Sequence, residues 1–282
     1  MHTASCGGAF NLISYLVFAE DAGQVCTMKT ENRLFFNLEH GRVSIGSVVS
    51  MSDLIVSELA GDCGMDFAWI DAEHAPHTIQ DVQRHLIALR GTGCAGLVRV
   101  RSCDPMLIKP YLDLAPDGII VPMVNTAEQA AAAVAACRYP TAGIRGCGVR
   151  RAVRYGAEDF FDYVKHSEKW PIVICQIEHI DAIKNLDEIL EVPGVDSFCI
   201  GPCDLSGSMG ILNQTADPEL NRIIDEAAAK IKKAGKWLGT AAGDFPRWKE
   251  RGVDWFAGIS DWGAMAVGMR AFKAECDKVR EV

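Results

Sequence analysis

The chain has 282 residues, 49% hydrophobic and 23% charged, with a mean hydropathy of +0.08, the mix of an ordinary globular domain. No run of about 18 consecutive apolar residues occurs, which excludes a membrane-crossing helix. With 28 basic and 37 acidic residues the net charge is −9, so a broad basic footprint for nucleic acid or an anionic membrane is absent.

Residues 10–19 (FNLISYLVFA) are apolar, but no Lys or Arg precedes them, unlike a secretory signal. Residues 1–27 are expected to be a disordered extension, with Met28 as the natural start and one domain over 28–282. A helix is predicted at 29–38 and a first strand at 43–49. Helix 52–60 opens on a Ser cap, strand 67–70 follows, and helix 78–89 opens on Thr78 with Asp81 three residues on. Then come strand 96–100, helix 105–114 with Asp104 as cap and Pro105 in its first turn, strand 118–121 and helix 126–135. Residues 140–156 are irregular, and long loops in compact domains are usually functional. The remaining elements are helix 157–166, strand 172–177, helix 181–190, strand 195–200, helix 218–234, strand 236–240, helix 245–251, strand 253–259 and a helix from Asp261 to the C-terminus. Several strands are continuous apolar runs, as a parallel strand covered on both faces requires. Eight strands alternating with helices predict a single-domain α/β fold, a (β/α)8 TIM barrel; an open doubly wound sheet is the alternative. Eleven cysteines without a C-x-x-C suit reduced thiols and a cytoplasmic protein better than a disulfide framework.

In an α/β barrel the chemistry sits where strands end. The second predicted strand runs into Asp71, Glu73 and His74, the third carries Arg99, the fifth ends at Gln176 and Glu178, and the sixth leads into Cys203 and Asp204. Glu178 and Asp204 are hard oxygen donors on neighbouring strands, a pair suited to a divalent metal such as Mg²⁺ or Mn²⁺. Asp71, three residues before His74, is expected to orient that imidazole as a general base. His74 and His77 form an H-x-x-H, but the Ala-Pro between them spoils the helical spacing of a zinc pair. Arg99 at the end of an apolar strand needs a partner, for which a substrate oxygen beside the metal is suited. The turn at Gly201-Pro202-Cys203-Asp204 can hold a carboxylate on its amides.

These residues carry a family resemblance. DAEHAP (71–76), LVRV (97–100), VPMV (121–124), RYPTAGIRG (138–146), QIE (176–178) and GPCDLSGSMG (201–210) resemble the HpcH/HpaI aldolases over residues 30–280, in order and without large gaps. The resemblance implies a barrel that forms homo-oligomers, a hexamer or trimer of dimers, through an exchanged C-terminal helix. It implies a divalent metal (Mg²⁺, Mn²⁺ or Co²⁺) and retro-aldol cleavage of a 4-hydroxy-2-oxo acid to pyruvate and an aldehyde. In that scheme Glu178 and Asp204 hold the metal and His74 is the base with Asp71 as partner. Arg99 meets the pyruvyl oxygen, Gln176 neighbours the metal, Cys203 and Asp204 offer amides to the carboxylate, and Glu73 is counted among the substrate contacts. Lys109 and Lys184 fall on predicted helices, which argues against an imine route.

The chain departs from the pattern at Cys203, where Ala is usual, at His179, where Thr is frequent, and near Val48, where an aromatic is replaced. His179 is expected to pack or to support the site from behind. Residues 138–154 hold Arg138, Arg145, Arg150, Arg151 and Arg154 and no acid, so Arg150 is a candidate grip for an anionic substrate tail. An acyl-CoA lyase and a non-catalytic metabolite-binding barrel are the alternatives; no G-x-x-x-x-G-K-[ST] or G-x-G-x-x-G phosphate motif occurs.

Overall fold

The computed structural model of the protein describes residues 32–280. The expected extension over 1–27 and the start at Met28 lie outside the described residues. Eight strands close into a parallel barrel in chain order: β1 (Ser44–Val49), β2 (Phe67–Asp71), β3 (Ala95–Arg99), β4 (Gly118–Val121), β5 (Ile172–Ile177), β6 (Ser197–Ile200), β7 (Trp237–Thr240) and β8 (Trp255–Ser260). The helices are α1 (Arg33–Glu39), α2 (Ile55–Asp62), α3 (Ile79–Ala88), α4 (Pro105–Leu112), α5 (Ala127–Cys137), α6 (Phe160–His166), α7 (Ile180–Lys184), α8 (Leu186–Leu190), α9 (Pro202–Ser208), α10 (Pro218–Lys233), α11 (Phe245–Glu250) and α12 (Asp261–Arg280). The predicted α/β barrel is therefore the observed fold.

The local rules that place these elements are visible at their ends. Thr78 and Asp81 form a reciprocal capping box on α3, and Asp104 and Thr126 cap α4 and α5. The helix predicted over 181–190 is split into α7 and α8 at Asn185, whose side-chain amide donates to the Asn125 carbonyl at 2.9 Å. Strands β2, β4, β5 and β6 are buried along their whole length, which explains their largely apolar composition.

Two apolar layers hold the barrel. One lies between strands and helices; the other fills the barrel with Phe67, Trp69, Leu97, Ile120, Ile174 and Trp255. Leu34 and Leu38 of α1 join the inner layer, and α1 precedes β1, so it plugs the mouth where strands begin. The mouth where strands end is left for the site. Trp255 fits because Gly239 faces it: a Cβ there would stand 1.8 Å from the indole. Its ring N–H donates to Ser197 Oγ at 2.9 Å, which satisfies the one polar atom it buries. Gly239→Ala is therefore expected to cost about 3 kcal/mol or more by overpacking. A urea melt checks this, with the midpoint lowered and the slope unchanged.

The arginine-rich loop follows a helix, not a strand, and αβ connections run at the opposite mouth from the βα loops. Its side chains satisfy carbonyls there. Arg138 donates to Pro171 O at 3.0 Å, Arg145 to Leu112 O at 3.0 Å, and Arg151 to Leu114 O and Leu86 O. Burial pushes the Asp113 carboxyl up while the charges of Arg145, Lys109 and Arg150 pull against it, which puts Arg150 beside the end of α4. The expectation that Arg150 grips a substrate tail is thus corrected: within its own chain it lies away from the strand-end mouth.

Candidate active site

Parallel pairing sets Asp71 of β2 opposite Arg99 of β3. That register turns a costly buried arginine into a bidentate pair: Nε donates to Asp71 Oδ1 at 3.0 Å and Nη2 to Oδ2 at 2.6 Å. Nη1 of Arg99 reaches Glu73 Oε2 at 3.1 Å, and the guanidinium lies 5.1 Å from the Trp69 ring centre. Burial opposes the charge on Asp71, but Arg99 and the amides of Glu73 and His74 outweigh it and hold the carboxyl below its ordinary range. For Glu73 burial wins over Arg99 and His74, and its carboxyl is raised.

This geometry corrects the role expected for Asp71. It holds Arg99 and the backbone N–H of His74 (3.2 Å), not the imidazole. The carboxylate nearest the imidazole is Glu73, 3.9 Å from Nε2. Glu73 is therefore spent on Arg99 and His74 rather than standing among the cavity-lining residues, which corrects its expected place as a substrate contact. The His74 side chain is 66% exposed, open to solvent and to a ligand.

Glu178 follows β5 and is 3% exposed. Oε1 accepts from the Met123 amide at 2.8 Å and Oε2 from Gln176 Nε2 at 2.7 Å. Met123 delivers that amide from φ 54°, a left-handed conformation for a non-glycine residue and the kind of local strain found at functional sites. Burial pushes the Glu178 carboxyl up to about 7; the Met123 amide opposes this, Glu73 and Asp204 add to it, and Arg99 lowers it. Gly201 lets β6 pass: a Cβ there would stand 2.7 Å from Glu178 Oε2. Pro202 opens α9, which brings Cys203 and Asp204 into its exposed first turn.

A cavity of about 260 Å³ at the strand-end mouth is lined by His74, Arg99, Gln176, Glu178, Cys203 and Asp204, with Val48 and Trp69 also in its wall. The Asp204 side chain makes no hydrogen bond or ion pair among the described residues, and Gln176 Oε1 is buried without a partner. The nearest cation, Arg99, is already engaged by Asp71 and Glu73. Glu178 and Asp204 thus form an under-compensated pair of hard oxygen donors, which fits a hard divalent cation. No cluster of three or more His, Cys, Asp or Glu suited to a metal occurs among the described residues, so the remaining positions would fall to water and ligand oxygens.

Several other expectations resolve here. His179 accepts from Asp181 N as the cap of α7. Lys109 lies on α4 and Lys184 pairs with Asp181 at 2.7 Å; neither lines the cavity. The Met123 amide and the Trp69 ring are site elements that residue type did not flag. Their signals were the VPMV segment after β4 and an aromatic on the strand beside Arg99.

The family model described as HpcH/HpaI aldolase/citrate lyase matches residues 48–266. The chain is 38% identical over 222 residues to the 2-keto-3-deoxy-L-rhamnonate aldolase of Salmonella gallinarum (strain 287/91 / NCTC 13346), covering 78% of this chain and 82% of the relative. It is 40% identical over 203 residues to the 4-hydroxy-2-oxovalerate aldolase of Rhodococcus jostii (strain RHA1), covering 72% and 78%. Among solved structures, an HpcH/HpaI aldolase/citrate lyase family protein from Burkholderia cenocepacia J2315 superposes with a TM-score of 0.79 at 29% identity, covering 88% of this chain and 99% of the other.

Proposed function

Because the chain belongs to the HpcH/HpaI aldolase/citrate lyase family, we propose that it is a divalent-metal-dependent pyruvate aldolase that cleaves a 4-hydroxy-2-oxo acid to pyruvate and an aldehyde. The observation that carries this reading is the convergence of Glu178, Asp204, Arg99 and His74 on one cavity. Glu178 and Asp204 would hold a cation (Mg²⁺, Mn²⁺ or Co²⁺), which would supply Lewis acidity to the 2-oxo acid. The first-turn amides of Cys203 and Asp204 have no carbonyl one turn behind them and receive the carboxylate. His74 accepts the proton of the 4-hydroxyl as that oxygen becomes the aldehyde carbonyl. The C3–C4 bond breaks and its electron pair flows to C3 and the 2-oxo oxygen. Arg99, held rigid by Asp71 and Glu73, donates to that oxygen as charge develops. The proton that His74 took, returned to C3, completes pyruvate and restores the base.

Helix α12 has no buried residue and presents Trp262, Met265, Met269 and Phe272 to solvent, while α2 leaves Ile55 and Leu59 exposed. This suits an oligomer in which α12 is exchanged between copies. The nine described cysteines are free thiols, which suits a reducing cytoplasm.

Pyruvate release from 4-hydroxy-2-oxo acids, coupled to lactate dehydrogenase, tests the reaction. Turnover is expected to vanish in EDTA and return with Mg²⁺, Mn²⁺ or Co²⁺. Pyruvate release that survives complete metal stripping, or no release from any such acid with metal present, overturns the reading.

A further inference from the structure

We propose that Arg101 is a positioning residue for the base: it pins the connection that carries His74. This rests on the reading of His74 as the base. Arg101 stands two residues past Arg99 and is exposed. Its Nε donates to Ala72 O at 3.2 Å and its Nη2 to His77 O at 3.3 Å. Those two carbonyls bracket His74 in the segment between β2 and α3, which has no helix or strand pairing of its own. One guanidinium fork thereby ties the two ends of that segment to each other.

The rest of the segment is held by a few backbone contacts, the Glu73–Arg99 pair and the buried Ala75. The Ala72 amide donates to Arg99 O at 2.9 Å, and Asp71 takes the amides of Glu73 and His74. Beyond His74 the anchors are the buried Ala75 and the fully buried His77, whose ring centre lies 5.0 Å from that of His85. The His74 ring itself is 66% exposed, and its nearest charged partner is 3.9 Å away, too long for a hydrogen bond. The placement of the imidazole therefore depends on the backbone beneath it, and small misplacements of a catalytic group cost large factors in rate. Arg101 is exposed and adds nothing to the buried core, so its loss is expected to leave the fold intact and loosen the segment.

Arg101→Met and Arg101→Lys are compared with wild type for kcat, KM, melting temperature and amide hydrogen exchange over residues 73–77. Met is expected to lower kcat about 10-fold with KM and Tm unchanged, and to speed exchange in the segment while α3 is unaffected. Lys, able to reach one carbonyl at a time, is expected to fall between. Unchanged kcat and exchange overturn the proposal, as does a loss of kcat accompanied by a fall in Tm and faster exchange throughout α3, which marks a merely structural role. His74→Ala run alongside separates the two failures. Full turnover there overturns the base assignment and this role with it. A lost turnover there with wild-type kcat in Arg101→Met overturns the clamp alone.

Discussion

Asp204→Asn is expected to lower pyruvate release roughly 10³-fold or more, about 4 kcal/mol of transition-state stabilisation. The substitution keeps the shape of the side chain and removes one of two negative charges facing the cavity. The Asp204 side chain is exposed and makes no hydrogen bond or ion pair among the described residues, so the fold loses little with it. A melting temperature within about 2 °C of wild type accompanies the loss, since surface substitutions away from packing and pairing stay within about 0.5 kcal/mol. Divalent-ion affinity falls with activity, by about 100-fold or more, because changing even a residue behind a ligand costs 10–100-fold. Steady-state kinetics, a thermal melt and a Mn²⁺ titration check the three parts together. Activity within 10-fold of wild type contradicts a ligand role for Asp204.

His74→Ala separates proton transfer from cation binding. A positioned acid–base group contributes about 10²–10⁴-fold, so kcat is expected to drop by that factor while Mn²⁺ affinity stays at the wild-type value. The side chain is 66% exposed and supports no packing, which makes the variant as stable as wild type. A variant that keeps wild-type kcat removes His74 from the reaction.

The barrel was legible because its rules are local. Largely apolar runs such as 118–121 and 172–177 coincide with β4 and β5 residue for residue, and Thr78 with Asp81 marks the start of α3 as expected. The site was legible as a set of residue types at strand ends, and the structure gathers Glu178, Asp204, His74, Arg99 and Gln176 on one cavity. Their pairing was not legible, because it depends on register. Asp71 and Arg99 face each other across two strands, so the carboxylate that spacing assigned to the imidazole is taken by a guanidinium. Met123 was hidden for a related reason: its contribution is a backbone amide in a left-handed conformation, which side-chain identity does not encode. Arg150 failed on topology. A basic loop reads as a ligand grip until its place after a helix assigns it to the other mouth, where its neighbours satisfy the carbonyls of Pro171, Leu112 and Leu114.

Titration of Mn²⁺ by electron paramagnetic resonance against wild type, Glu178→Gln and Asp204→Asn, with pyruvate release followed in the same samples, tests the shared-cation account most directly. The account predicts one tightly held ion per wild-type chain, turnover that tracks its occupancy, and loss of both in each variant. Wild-type Mn²⁺ binding in the two variants, or turnover independent of bound ion, would contradict it.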